Sequence, residues 1–277
     1  MGTPRRLSAG RLTSMDTRVG EPLYFGASET SLFGCLHRPT TAPIRHAALL
    51  LPAAGHEYQS GHRSLRQLAL RLAERGCLAL RMDFRGCGDS LGDKDEGCLE
   101  QWCDDAEQGL HLLAAQAPDA ALSVVGMRLG ASIAAMLGAR RTLAAAPLTA
   151  LALWDPVMDG HAYLAAALDL QQRRHHMQQR VNDAGPFEVL GHRWSVTLGA
   201  QLRALKIAEI QISPATNILL VDTLQTHHDA LLAPWRSRGA ALEYRALQAP
   251  ELWSGDGQVA LIPTAVVQAI AAWLVPS

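Results

Sequence analysis

The sequence predicts an α/β fold: a mostly parallel sheet of about eight strands with helices on both faces. Three observations predict it. Strand-like apolar runs alternate with helix-like runs for most of the 277 residues. The strand-like run Leu122–Val125 passes through a glycine-framed turn, Gly126-Met127-Arg128-Leu129-Gly130, directly into the helix-like run Ala131–Arg140. One segment, 157–212, breaks the alternation with helical spacing and no clear strand. The length suits a single α/β domain with an insertion. A hydrophobic content of 48% with 18% charged residues is enough to bury a sizeable core.

Each element follows in order. Residues 1–20 contain Arg5, Arg6, Arg11 and Arg18 without an apolar run, which reads as a flexible tail rather than a secretory signal. Residues 21–156 form the first part of the core. Leu23–Gly26 and Ser31–His37 read as two strands joined by a short turn, and His46–Pro52 as a buried strand. Ser64–Glu74 carries Leu65, Leu68 and Leu72 at helical spacing, and Gly76 closes that helix. Leu78–Asp83 is the next strand and Leu99–Ala115 the next helix, before the glycine-framed turn with its strand and helix. Leu148–Trp154 is another strand. Segment 157–212 is too long for a simple loop and reads as an inserted helical cap. Its polar run Gln171–Arg180 reads as a solvated helix face. Residues 213–277 return to the core with strands Ile218–Asp222 and Leu242–Leu247 and a closing helix, Val259–Leu274.

Composition excludes several functions. A formal net charge of -1 gives no case for binding nucleic acid or an anionic membrane. No window reaches the roughly 18 apolar residues of a membrane span. The five cysteines are odd in number and contain no C-x-x-C pair, which favours reduced thiols in a cytoplasm. No cofactor is expected. Asp222, His227, His228 and Asp229 are metal-friendly in order, but adjacent histidines point in different directions, so no metal is expected either.

The turn at 126–130 has the context of a G-x-S-x-G nucleophile elbow, a strained strand-to-helix turn that thrusts its middle residue above the sheet edge. Here that residue is Arg128, whose guanidinium stays protonated and cannot attack a carbonyl. A second turn, Asp83-Phe84-Arg85-Gly86-Cys87-Gly88-Asp89-Ser90, matches D-x-R-G-x-G-x-S. With these two turns in this order, residues 20–275 resemble the α/β-hydrolase superfamily. At a finer level, Gly55–Tyr58, His62-Arg63, Gly86–Asp93, Gly126–Ala131 and Trp154–Gly160 resemble bacterial hydrolases associated with the exosortase A system and related hydrolases near biosynthetic clusters. That resemblance implies the α/β-hydrolase fold, an arginine at the elbow as a group trait, and a setting in bacterial biosynthesis.

The superfamily's triad runs serine, acid, histidine along the chain, with the histidine after the last strand. Here 249–258 contains no histidine, and none occurs after His228. Ordinary Ser-His-Asp acyl transfer is therefore not expected. Asp222 stands at the acid position, where capping a strand-end turn is an equally good reading. The polar groups that remain cluster after the strand ending at Pro52: Gly55, His56, Glu57, His62 and Arg63. Gly55 allows close backbone approach, so amides here and at Leu129 could hold an oxygen anion. Glu57 could pin the loop through Arg63 or Arg128. In a catalytic reading Arg128 binds a carboxylate or phosphate, while Glu57 or His62 moves a proton. The candidate catalytic set is thus Arg128, Glu57, His62 and Asp222. The candidate substrate-binding set is Gly55, His56, Arg63, Ser90, Met127, Leu129, Asp155 and Trp253. Gly88-Asp89-Ser90-Leu91-Gly92 also matches G-x-S-x-G but leads into a polar loop, where Ser90 would tie down main chain.

Three functions stay open. One is a hydrolase-fold enzyme without a triad, acting on a small acyl or carboxylate compound, free or carrier-bound, with a homodimer left open. Another is a hydrolase or thioesterase with Ser90 or Cys87 as a displaced nucleophile. The third is a catalytically dead binding or scaffold protein.

Overall fold

The computed structural model describes residues 20–93, 97–178, 188–226, 233–250, 252–253 and 261–276. The expected residues 1–19, 227–229 and 254–260 lie outside that set. The chain runs β1 (Glu21–Phe25), β2 (Leu32–His37), β3 (His46–Leu51), α1 (Glu57–Glu74), β4 (Cys77–Met82), α2 (Leu99–Gln116), β5 (Ala121–Met127), α3 (Leu129–Leu143) and β6 (Leu148–Trp154). It continues through α4 (Gly160–Gln178), β7 (Glu188–Val189), β8 (His192–Arg193), α5 (Val196–Ala204), β9 (Ala215–Asp222), α6 (Ala233–Ser237), β10 (Ala241–Ala246) and α7 (Thr264–Leu274). Eight strands form one sheet in the order β1-β2-β4-β3-β5-β6-β9-β10. The β1–β2 and β2–β4 pairs are antiparallel, and every pairing from β4 to β10 is parallel. This is the α/β-hydrolase fold, with the strand count and direction the sequence predicts.

The central strands are apolar on both sides because helices cover both faces. Alternate residues sort into two cores. Leu49, Leu51, Leu80, Val124, Leu151 and Leu153 meet Trp102, Ala106 and Leu110 of α2 and Ile133, Ala134 and Leu137 of α3. Leu50, Ala79, Val125, Met127, Ala152 and Trp154 meet Leu65, Leu68 and Leu72 of α1 and Val266, Val267 and Ile270 of α7. Each such fully buried aliphatic side chain contributes about 1.5–3 kcal/mol.

Besides the unexpected helix α6 and a closing helix that begins at Thr264, two differences from expectation bear on the site. Helix α1 begins at Glu57 rather than Ser64. Its inward positions Glu57, Ser60, Gly61 and Ser64 continue the helical period of Leu65, Leu68 and Leu72, but they are polar or small, so hydrophobic periodicity misses the first two turns. The stretch between β6 and β9 contains α4, α5 and a hairpin of two-residue strands, β7 and β8, where no strand was expected. Two residues are too few to register an alternation. The Ser195 hydroxyl caps α5, accepting from the Leu198 amide at 2.8 Å and donating to the Gly97 carbonyl at 2.6 Å. Among the described residues, no helix is long and apolar enough to cross a membrane.

Candidate active site

The turn between β5 and α3 is a strained strand-to-helix elbow. Arg128 has φ 52° and ψ −120°, a conformation few non-glycine residues adopt. A Cβ on Gly126 would lie 2.4 Å from the Ala131 Cα, and one on Gly130 would lie 2.1 Å from the Pro52 carbonyl oxygen. Both obstacles are main chain, so only glycine fits. The Arg128 amide donates to the Trp154 carbonyl at 3.0 Å, and the Arg128 carbonyl accepts from the Ala131 amide at 3.0 Å. The surrounding sheet and helix hold the residue in place.

The side chain at this elbow joins a buried cluster. Arg128 Nε donates to Glu57 Oε1 at 2.8 Å, and Nη1 donates to the Asp155 carbonyl at 3.0 Å. The Glu57 side chain is 2% exposed and that of Arg128 13%. The hydroxyl of Tyr163 on α4 donates to Glu57 Oε2 at 2.9 Å. The guanidinium carbon sits 5.6 Å from the ring centroids of both Tyr163 and Trp253, within cation–π range. Tyr163 stacks on Trp194, which closes against Gly55, where an added Cβ would stand 3.0 Å from the indole. Burial pushes the Glu57 carboxyl above its ordinary range, against the opposing pull of the guanidinium and the Tyr163 hydroxyl. Burial, reinforced by Glu57, likewise raises the Tyr163 phenol. Burial opposes the Arg128 cation, but Glu57 more than offsets it, so the arginine stays charged.

The carboxylate on the other side is Asp155, at the end of β6. Its Oδ1 accepts from the Thr223 amide at 2.6 Å, and its Oδ2 accepts from the Thr223 hydroxyl at 2.5 Å and the Trp253 indole at 2.8 Å. Trp253 follows β10, in the segment where a triad histidine would stand. The order elbow residue, ring and carboxylate is kept in Arg128, Trp253 and Asp155, but an indole N–H only donates and does not titrate in this range. Asp222 stands elsewhere. Its Oδ1 accepts from the Leu224 and Thr226 amides at 3.0 and 3.2 Å, and its Oδ2 from the Tyr244 hydroxyl at 2.8 Å. These bonds have the geometry of a turn cap, and among the described residues the carboxylate that Trp253 meets is Asp155.

The other expected residues divide. His62 and Arg63 are exposed on α1. They lie five and six residues beyond Glu57, so they leave the helix on other sides. His62 stands 3.5 Å from Arg81 Nη1 and, with Tyr58, Arg81, Asp83 and Asp89, lines a separate pocket of 100 Å³. Ser90 donates to the Asp83 carbonyl at 2.7 Å and accepts from the Phe33 amide at 2.8 Å, so its hydroxyl is engaged in tying the loop. The Met127 and Leu129 side chains are fully buried in opposite cores, and only their main chain can face the site. The Leu129 and Gly130 amides, the first two of α3, lack intrahelical acceptors by position. His56 precedes α1, and its Nδ1 is buried without a hydrogen-bond partner among the described residues. Burial, then His192, Arg128 and Arg174, lowers its pKa to about 4.

Sequence reasoning missed Tyr163, Trp194 and Thr223. One usable signal existed: a glutamate on an inward helix position needs buried donors, and the aromatics of 157–212 are the nearest supply. No group of three metal-binding side chains occurs among the described residues.

Residues 50–194, from β3 through Trp194, match the family described as serine aminopeptidase, S33. Among solved structures, Est1E from Butyrivibrio proteoclasticus with ferulic acid bound is similar, with a TM-score of 0.65 and 15% identity over 91% of this chain and 97% of that one. The Pyrococcus furiosus esterase Pf2001 gives 0.62 and 16% over 98% and 96%. The proline iminopeptidase of Mycobacterium smegmatis gives 0.60 and 13% over 92% and 97%. No curated protein matches the chain in sequence. The family match spans more than half of the chain, which belongs to the serine aminopeptidase S33 family.

Proposed function

We propose that this member of the serine aminopeptidase S33 family is a hydrolase that cleaves a small acyl, ester or thioester compound without a Ser-His-Asp triad. One observation carries the reading: the buried Glu57–Arg128–Tyr163 cluster stands where this fold brings a substrate carbonyl. A buried ion pair is a poor way to stabilise a fold, since well-packed apolar side chains serve as well or better. A carboxyl with a perturbed pKa beside a cation at such a position is what proton transfer needs.

The residues divide the work as follows. The substrate carbonyl oxygen lies against the α3 amides at Leu129 and the Arg128 guanidinium, which hold its developing negative charge. Glu57, as carboxylate, takes a proton from a water whose oxygen bonds to the acyl carbon. Glu57 then returns that proton to the leaving oxygen or sulfur as the acyl bond breaks. Tyr163 orients Glu57 through Oε2, and Trp253 on Asp155 forms a fixed, dry wall. Residues 157–212 act as the cap that carries Tyr163 and Trp194. The resemblance of the turns to exosortase-associated hydrolases favours a biosynthetic substrate.

A second reading is a ligand-binding protein without turnover. The indole of Trp253 favours it, because a non-titrating ring fills the general-base position. Turnover of a panel of acyl esters and thioesters separates the two. Glu57→Gln is expected to lower kcat by about 10²–10⁴-fold with little change in KM, and a fluorophosphonate probe should leave every serine unlabelled. Unchanged kcat in Glu57→Gln, or stoichiometric labelling of a serine, overturns the proposal. Ligand binding with no turnover by the native chain selects the second reading.

A further inference from the structure

We propose that the pocket between α1 and the turn after β4 binds a small α-amino acid, with its carboxylate on Arg81 and its ammonium on Asp89 and Asp83. The site does not rest on the hydrolase reading.

The chain places opposite charges around one small space. Arg81 on β4 pairs with Cys35 on β2, and both border the 100 Å³ pocket that Tyr58 and His62 of α1 face. Tyr58 follows Glu57 but leaves the helix about 100° further round. Accordingly, neither Glu57 nor Arg128 nor Tyr163 lines this pocket. The Tyr58 hydroxyl donates to Asp83 Oδ1 at 2.8 Å, and the Asp89 amide donates to Asp83 Oδ2 at 3.1 Å. A Cβ on Gly88 would lie 2.1 Å from that same Oδ2, so only glycine lets the turn close on Asp83. The closed turn leaves Asp89 exposed at the rim, while Cys35, Pro52, Leu65 and Met82 form a buried, largely apolar floor.

These charges are not spent on one another. Arg81 Nε donates to His37 Nε2 at 3.2 Å, and Nη1 meets His62 Nε2 at 3.5 Å. Burial first, and then Arg81, holds both imidazoles below their ordinary range, so the groups facing the guanidinium are neutral at pH 7. Among the described residues, Arg81 Nη2 makes no hydrogen bond and no carboxylate forms an ion pair with the guanidinium. Asp83 has a phenol and an amide as partners, and neither Asp83 nor Asp89 has a cation among the described residues. A half-buried cation and two carboxylates therefore border one space without meeting. A ligand of single charge answers one side only. An α-amino acid carries both charges on one carbon, and the free edge of a guanidinium suits carboxylate oxygens. The 100 Å³ holds about three waters' worth of volume, which limits the ligand to a small side chain, and the apolar floor suits a methyl group.

The test titrates the full chain with L-alanine, propionate and ethylamine and follows the His62 ring resonances by NMR. Propionate lacks the ammonium and ethylamine lacks the carboxylate. L-Alanine is expected to bind with a Kd below about 10 mM and at least about tenfold more tightly than either analogue. Arg81→Gln and Asp89→Asn should each weaken L-alanine about tenfold. Asp89 is exposed, so Asp89→Asn reports on the site even if loss of the Arg81–His37 bond lowers stability. No saturable binding of L-alanine overturns the site. Propionate or ethylamine binding as tightly as L-alanine, or L-alanine binding unchanged by either substitution, overturns the two-charge assignment. None of these readouts depends on turnover, so failure of the hydrolase reading is scored separately.

Discussion

Among the described residues, two arginines pair with a carboxylate exposed to 2% or less, Arg85 with Asp105 and Arg128 with Glu57, and the two pairs are built differently. Arg85 donates from its main-chain amide to Asp105 Oδ2 at 2.8 Å and from its guanidinium to Oδ1 at 3.0 Å. Main chain and side chain of one residue therefore grip a single carboxylate, which ties the turn after β4 to α2. Among the described residues, no backbone amide serves the Glu57 carboxylate. It receives a guanidinium from the elbow and a phenol from α4, so three distant segments meet in side chains alone. The first pair fixes a loop. The second fixes little that apolar packing could not, and it lies at the strand-to-helix elbow. Similar burial and distance can thus serve different ends, and the partners tell them apart.

The largest expected effect tests the first half of that contrast. Asp105→Ala leaves the Arg85 amide and guanidinium without their acceptor and should cost about 3–5 kcal/mol. Urea denaturation measures it, and a loss below about 1 kcal/mol would erase the distinction. A smaller effect separates the pairs more sharply. Removing both charges in Glu57→Leu with Arg128→Met should change stability by no more than about 1–2 kcal/mol in either direction, while turnover disappears. The matching replacement of Arg85 and Asp105 by leucine should remain destabilising, because the Arg85 amide still loses its bond. Equal losses in the two double variants would make both pairs structural.

The smallest expected effect concerns pH. Burial, aided by nearby cations, holds His37 and His56 at about 4, against 6.5 in the unfolded chain. Between those values the unfolded state binds more protons, so their contribution is intact above pH 6.5 and is lost as pH falls toward 4. Glu57, Asp83 and Asp105 act in the opposite sense: burial raises their carboxyls, and protonation on acidification relieves that penalty. His56→Asn should reduce the acid loss by about 1 kcal/mol, discounted for partial exposure of the ring. Imidazole resonances followed by NMR should show His37 and His56 neutral down to about pH 4. Titration near 6.5 would remove His56 from the buried cluster.

Part of the site was legible in sequence because glycine records backbone conformation directly. Gly126 and Gly130 mark an elbow wherever the chain folds, and Arg128 between them excludes a serine nucleophile. Glu57 was legible as a candidate partner of Arg128, because a charge in a buried turn has few outlets. The separation of His62 from Glu57 was not legible, because residues 57–63 read as a loop. Once they are helix, Glu57 points inward and His62 leaves on another side, toward Arg81.

By itself the sequence determined the sheet, its parallel direction and the arginine at the elbow. Apolar periodicity, glycine turns and the absence of histidine after His228 are local properties of the chain. Only the tertiary structure decided which acid meets Trp253. Asp155 and Asp222 both end strands, and the choice rests on which of them Trp253 and Thr223 approach. It also brought Tyr163 and Trp194 over the elbow. The reason is physical: a buried polar group is satisfied by whatever donors packing brings within about 3 Å, and sequence separation carries no record of that distance.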